Sequence, residues 1–121
     1  MRIFRFLVLM LLSTFTLAAE PKTEDAKIQG LIDHIGGMAN AKFYRNGSEY
    51  DAKSAAKFLT AKWNKQKKGI NSAEEFIEKV ATKSSTSGKP YLIKLEDGKQ
   101  VECGPYLSGR LKQTGKPPAK P

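Results

Sequence analysis

The chain of 121 residues has one cysteine, Cys103, and one histidine, His34. A single cysteine excludes an intramolecular disulfide, so this is not a small secreted scaffold held together by disulfides. One cysteine and one histidine far apart in the chain also lack the ligand spacing of a zinc site. We therefore predict no metal and no cofactor, and we expect the stability to come from packing.

Long apolar runs are scarce too, and the run that exists lies at the N-terminus. Residues 6–12 (FLVLMLL) follow Arg2 and Arg5 and precede small residues. This pattern is typical of a cleavable secretory signal. We expect residues 1–18 to be the signal, cleaved after Ala18, with export to the periplasm. The alternative is an uncleaved anchor, which is disfavoured because the run is shorter than the ~20 residues that span a bilayer.

Acidic residues are few compared with basic ones. Without the two arginines of the signal, 19 basic residues face 12 acidic residues, a net charge of +7. In a cytosolic protein this excess would indicate nucleic acid, but an exported protein meets other anions. We predict as partner an anionic envelope component or a periplasmic protein, and no nucleic acid.

Three segments have the apolar periodicity of amphipathic helices. The first spans 23–40 and begins at the N-cap Thr23; the second follows the N-cap Asp51. The third begins at Ser72, which forms a capping box with Glu75. Their apolar stripes are Ile28, Leu31, Ile32, Ile35 and Met38; Ala52, Ala55, Ala56, Leu59 and Trp63; and Ala73, Phe76, Ile77 and Val80.

A first hairpin is predicted at Asn46-Gly47, because a two-residue type I′ turn needs positive φ at both central positions. This register pairs Phe43 with Tyr50 and places Arg45 on the same face as both aromatic residues. A three-residue loop would lose the aromatic pair, so we predict the two-residue turn.

A second hairpin follows, with its turn in the sequence LEDGKQ. A two-residue turn would place Ile93 opposite a glutamate. A three-residue loop with Gly98 in the left-handed bulge position places Ile93 opposite Val101 and Tyr91 opposite Cys103. We predict the second register, because it makes one face wholly apolar and buries Cys103.

These elements predict an α+β fold in the order helix, hairpin, two helices, hairpin, helix. The hairpins should form a small antiparallel sheet with the helices on one side. The last helix should begin near Pro105, a good first-turn residue. We expect the domain to span residues 19–114 and residues 115–121 to be a disordered tail.

Several short motifs occur in this framework: an aromatic residue and an arginine before the Asn-Gly turn, apolar positions on the second and third helices, and serine, Pro-Tyr and Tyr-Leu pairs. They are Phe43, Arg45, Asn46, Gly47, Ala55, Leu59, Ala73, Phe76, Ile77, Val80, Ser84, Ser85, Gly88, Pro90, Tyr91, Tyr106, Leu107 and Leu111. On these residues the chain resembles the YfeK-like family of small exported bacterial proteins of unknown function, although Cys103 departs from the pattern. The resemblance implies export and a single α+β domain, and it implies no catalytic residues.

Arg45 has two interpretations. If its face packs inward, the guanidinium needs a carboxylate or several carbonyls, and we predict a carboxylate, for which Glu49 or Asp51 is near enough in sequence. If the face lines a groove, Arg45 can bind an anionic ligand. We favour the structural interpretation.

Two further segments could bind anions. The loop 84–89 offers Ser84, Ser85 and Lys89, although it lacks the P-loop spacing and a solvated connection is favoured. Between Ala52 and Ala73 there are lysines and no acid, so either an anion-binding patch or a solvated helix face is expected. The lysines are Lys53, Lys57, Lys62, Lys65, Lys67 and Lys68, of which the last four are the binding candidates.

Catalysis is not predicted. A Cys103–His34 pair would need a closeness that sequence cannot show, and Asn46, Gly47 and Gly98 are assigned structural roles in turns. The leading hypothesis is a non-enzymatic periplasmic binding module. The alternative is a periplasmic inhibitor or immunity protein, and an envelope hydrolase ranks third.

Overall fold

The structure is a computed structural model that describes residues 23–115. In this part of the chain the helices are α1 (Glu24–Gly36), α2 (Ala52–Gln66), α3 (Ala73–Phe76) and α4 (Cys103–Gly115). The strands are β1 (Lys42–Arg45), β2 (Ser48–Tyr50), β3 (Leu92–Lys94) and β4 (Gln100–Glu102). A 3-10 turn (Lys67–Gly69) continues α2, and a π-helical segment (Ile77–Ala81) continues α3. The predicted signal at 1–18 and the predicted tail at 115–121 lie outside the described residues, apart from Gly115.

Side chains cap three helices as predicted. Thr23, Asp51 and Ser72 each accept a hydrogen bond from the backbone N–H three residues later, at 2.8 to 3.1 Å. Such bonds satisfy donors that have no partner within the helix. The capping box differs in one detail, because the Glu75 carboxylate accepts from the N–H of Asn71, at 2.7 Å.

Two helix boundaries differ from the prediction. α1 ends at Gly36 rather than at residue 40, because two successive glycines have low helix propensity and the N–H of Gly37 closes the last turn. α4 begins at Cys103, before Pro105. The N–H of Cys103 still donates to the carbonyl of Tyr91 at 2.9 Å, so β4 passes into α4 without a connecting loop.

The hairpin registers are confirmed. Phe43 pairs with Tyr50 around a turn in which Asn46 has φ 53° and Gly47 has φ 84°. In the second hairpin the predicted partner of Ile93 is also found, and Gly98 has φ 90°. β1 pairs with β3, so the two hairpins form one antiparallel sheet of order β2-β1-β3-β4.

The helices cover the sheet face that carries Phe43 and Ile93, and the hydrophobic core lies between them. The largest fully buried side chains are Phe76, Ile28, Ile35, Ile93, Leu107 and Val80. The fold is therefore the predicted α+β domain. Within residues 23–115, none of the helices combines the length and apolar character needed to cross a bilayer.

The first turn of α4 packs closely against the end of the π-helical segment, through a contact between Gly104 and Thr82. A Cβ atom at Gly104 would lie 2.7 Å from the Thr82 hydroxyl oxygen. That hydroxyl donates to the carbonyl of Ile77 at 2.7 Å, so it is held in place. By contrast, a Cβ atom at Gly109 on the same helix would meet no atom within 4 Å.

We predict that Gly104→Ala lowers the free energy of unfolding by about 1–3 kcal/mol, because overpacking forces neighbouring groups to move. Gly109→Ala is the control and should raise it by up to about 1 kcal/mol through helix propensity. Urea denaturation of both variants measures the difference. Equal midpoints would show that the Gly104 contact is loose.

Candidate ligand-binding pocket

A partly open cavity of about 200 Å³ lies where the sheet meets α2. Its lining is mostly apolar and aromatic, and none of the lining residues is acidic. The lining residues are Phe43, Tyr44, Arg45, Tyr50, Ser54, Ala55, Phe58, Leu59, Tyr91, Leu92 and Cys103.

Cations alternate with aromatic rings beside this cavity, and we call the set Tyr50, Arg45, Phe58, Tyr91 and Lys62 the cation–aromatic row. The Arg45 guanidinium carbon lies 4.1 Å from the centroid of the Phe58 ring and 5.3 Å from that of Tyr50. Phe58 and Tyr91 meet edge to face, with centroids 5.6 Å apart. The Lys62 ammonium lies 4.9 Å from the Tyr91 centroid. Each cation thus faces aromatic electron density.

Three elements position this row. Arg45 pairs with Ser48 across the hairpin, so Tyr50 is its diagonal neighbour on the same face. Phe58 and Lys62 are four residues apart on α2 and therefore lie on one side of the helix. Tyr91, just before β3, contacts both of these side chains.

The prediction that a carboxylate pairs with Arg45 is wrong. Arg45 donates to the Tyr50 hydroxyl at 3.2 Å, and in residues 23–115 no carboxylate lies within 4 Å of it. Both candidates have other partners, because Glu49 accepts from Tyr44 and Asp51 caps α2. The hydrogen bond from Arg45 lowers the pKa of the Tyr50 hydroxyl.

Lys62 is buried, with 8% of its surface exposed, and so is not part of the predicted surface patch. Its ammonium donates to the carbonyl of Lys83 and to the Tyr91 hydroxyl, each at 2.9 Å. Burial, and secondly the charge of Arg45, lower the pKa of Lys62. The buried charge is therefore solvated by the protein itself.

The remaining lysine candidates, Lys65, Lys67 and Lys68, are exposed at the end of α2, and we call them the lysine cluster. The Lys67 ammonium lies 4.3 Å from the centroid of the buried Trp63 ring. The cluster borders a shallow, open depression. Its anion-binding role stays a prediction.

The loop 84–89, which we call the serine loop, has more internal hydrogen bonds than the solvated connection that we expected. Ser84 is buried, and its hydroxyl accepts the N–H groups of Thr86 and Ser87, both at 3.3 Å. The Ser87 hydroxyl donates to the side chain of Asn46, which ties the loop to the first hairpin turn. Of the three anion ligands predicted in this loop, Ser85 and Lys89 are exposed, whereas Ser84 is buried and its hydroxyl is already used within the loop.

His34 and Cys103 have separate surroundings. The His34 Nε2 atom lies 2.7 Å from the Tyr106 hydroxyl, and the two rings stack. Burial, and secondly the charge of Arg110, lower the pKa of His34. Cys103 is buried and free, as predicted, and burial raises its pKa to about 12. Within residues 23–115, no group of three or more His, Cys, Asp and Glu side chains could hold a metal ion.

Sequence analysis did not identify Phe58 as a site residue, because it lies outside the predicted apolar stripe of α2. Its i, i+4 spacing with Lys62 was the available signal. That spacing places a ring and a cation on one side of the helix, but the sequence does not show that this side faces Tyr91.

Comparison with known proteins finds one family model, described as a family of unknown function (DUF5329), which matches residues 22–115. An uncharacterized protein YfeK of Salmonella typhimurium is 35% identical over 68 residues. The match covers 56% of this chain and 57% of that relative's length. No solved structure matches. The resemblance to YfeK-like proteins is therefore confirmed.

We predict that Lys62→Ala lowers the free energy of unfolding by about 1–3 kcal/mol, because it leaves the Lys83 carbonyl and the Tyr91 hydroxyl without their donor. Lys57→Ala, an exposed lysine on the same helix, should change it by less than about 0.5 kcal/mol. Chemical denaturation measures both. Equal effects of the two substitutions would mean that the contacts of Lys62 contribute nothing to the free energy of unfolding.

A pH dependence follows from the lowered pKa of Lys62. Between that pKa and 10.5, its ordinary value, the unfolded chain binds more protons than the folded chain. The stability of the protein relative to Lys62→Met should therefore rise as the pH increases towards 10.5. Denaturation between neutral pH and pH 10 tests this, and parallel profiles would contradict it.

Proposed function

The chain belongs to the DUF5329 family of unknown function, and we propose that it is a non-enzymatic binding module for an anionic ligand with an apolar body. The anion binds at Arg45 and the apolar body enters the cavity. The observation that carries the proposal is an arginine stacked on aromatic rings at an apolar cavity, with no carboxylate partner among the described residues.

Most N–H donors of the Arg45 side chain have no hydrogen-bond acceptor among the described residues. A guanidinium carries five N–H groups in a planar fork, and within residues 23–115 one of its nitrogens donates, to Tyr50. The guanidinium lies over the Phe58 ring, and a cation–π contact uses none of the N–H donors at the guanidinium edge. A carboxylate or another planar anion can therefore accept two parallel hydrogen bonds from that edge.

The charge around the cavity also favours an anion. Arg45 lies close enough to Lys62 to lower its pKa, so two positive charges act on the same region. None of the lining residues is acidic. A bound anion would offset the repulsion between the two cations, and the lysine cluster adds positive potential that attracts anions.

The cavity supports binding better than catalysis. Cys103 lines it, but a thiol with a pKa of about 12 stays protonated at neutral pH. Its potential base, His34, lies against Tyr106 instead. A nucleophile needs an adjacent base or a lowered pKa, and Cys103 has neither among the described residues.

We further propose that the protein acts in the periplasm, in line with its expected signal, and that the exposed lysine cluster interacts there with anionic envelope components. The alternative is an inhibitor or immunity protein, which would use a surface of about 800 Å² per partner rather than a cavity. A discrete protein captured from periplasmic extract at fixed stoichiometry would favour that alternative.

The test compares hexanoate with its neutral amide, hexanamide, by NMR titration of the protein at low salt. We expect shifts in β1, β2 and α2 with hexanoate, and weaker or no binding of hexanamide. Arg45→Gln should weaken hexanoate binding by about 10–100-fold, because hydrogen bonds to charged groups contribute about 1.5–3 kcal/mol. Lys57→Gln removes one exposed charge from α2 and is the matched control.

Equal binding of acid and amide would contradict the proposal, as would an unchanged affinity in Arg45→Gln. Thermal denaturation of each variant shows whether it is folded. Salt should weaken binding only moderately, because Arg45 is half-buried and such pairs are screened less than exposed ones.

A further inference from the structure

We infer that the ligand is a small carboxylate whose apolar body is one aromatic ring, and that Phe58 and Tyr91 select this ring. The inference rests on the proposed function and adds the ligand class. It follows from the size of the cavity, from the geometry of its aromatic walls and from the position of Arg45.

The size of the cavity sets the size of the apolar body. A dry apolar cavity of roughly 150 Å³ in another protein binds benzene, and this cavity has about 200 Å³. One six-membered ring with a short side chain therefore fits. A lipid acyl chain would leave most of its length in water, so a whole phospholipid or lipopolysaccharide chain is disfavoured as the buried group.

The walls of the cavity favour a ring over an alkyl chain of equal size. Phe58 and Tyr91 already pack edge to face, and both line the cavity together with Phe43 and Tyr50. Aromatic rings attract one another most strongly in offset or edge-to-face arrangements, with centroids roughly 4.5–7 Å apart. A ligand ring in the cavity can adopt these arrangements with more than one wall.

The position of Arg45 sets the separation of ring and anion. Its guanidinium carbon lies 4.1 Å from the Phe58 centroid, so a ring packed against Phe58 places its substituent within one or two carbons of the cation. The Tyr50 hydroxyl accepts from Arg45, and a hydroxyl that accepts a hydrogen bond keeps one O–H donor, which can bind a carboxylate oxygen. Arg45 and Tyr50 together can thus hold both oxygens of an arylalkanoate.

The experiment is isothermal titration calorimetry of the full mature chain with two acids of equal heavy-atom number, 3-phenylpropanoate and nonanoate, and with the neutral 3-phenylpropanamide. We expect 3-phenylpropanoate to bind about tenfold more tightly than either. Phe58→Leu should remove most of the preference for the ring while nonanoate still binds. Lys57→Gln, next to Phe58 in sequence, should leave the preference unchanged.

The outcomes separate this inference from the proposed function. If nonanoate binds as tightly as 3-phenylpropanoate and both depend on Arg45, the inference is overturned and the proposed function stands. If the preference survives in a folded Phe58→Leu variant, Phe58 does not select the ring. If neither acid binds at concentrations up to about 10 mM, or if the acid and the amide bind equally, both are overturned.

Discussion

The register of the first hairpin determines which side chains reach the second helix. Positive φ at Asn46 and Gly47 makes a two-residue turn, which places Arg45 and Tyr50 on the face that meets α2. A slip of one residue in this pairing would turn Tyr50 to the face opposite Arg45. The Ser87 hydroxyl bonds to Asn46, so the loop before β3 is held to the same turn. The turn therefore orients both chain segments that border the cavity.

The two cations of the row are stabilised in different ways. Lys62 is buried and has two oxygen acceptors, which largely replace the water it loses. Arg45 is half-buried, and rings cover it instead, a contact that contributes about 0.5–2 kcal/mol depending on desolvation. Of the two, Lys62 has its charge matched by local acceptors, whereas Arg45 keeps donors for a further partner. This difference is the reason for our proposal that Arg45 binds the ligand and Lys62 supports it.

Features that depend on neighbours in sequence could be predicted. The caps at Thr23, Asp51 and Ser72 and the register of both hairpins follow from side chains and dihedral angles within a few residues. The contact of Arg45 with Phe58 and the burial of Lys62 could not, because both depend on how α2 packs against the sheet and against Tyr91. Lys62 and Tyr91 are 29 residues apart in the chain. Counting charges along the sequence therefore placed a buried lysine in a surface patch.

Apart from Lys62, the cations near α2 that concern the site fall into two groups with different physical roles. The exposed Lys65, Lys67 and Lys68 lie where cations also stabilise the C-terminal end of a helix, by about 0.3–1 kcal/mol each, and Lys67 packs on Trp63. Their electric field extends into solvent over a Debye length of about 10 Å at 0.1 M salt. At that range it does not distinguish anions by their shape. In the proposed function Arg45 acts only at contact distance, where its planar fork and the aromatic walls would distinguish one ligand from another. Exposed charges mainly raise association rates, whereas buried, hydrogen-bonded groups determine residence times. The lysine cluster is thus suited to gathering anions near the protein, and the cation–aromatic row to choosing among them.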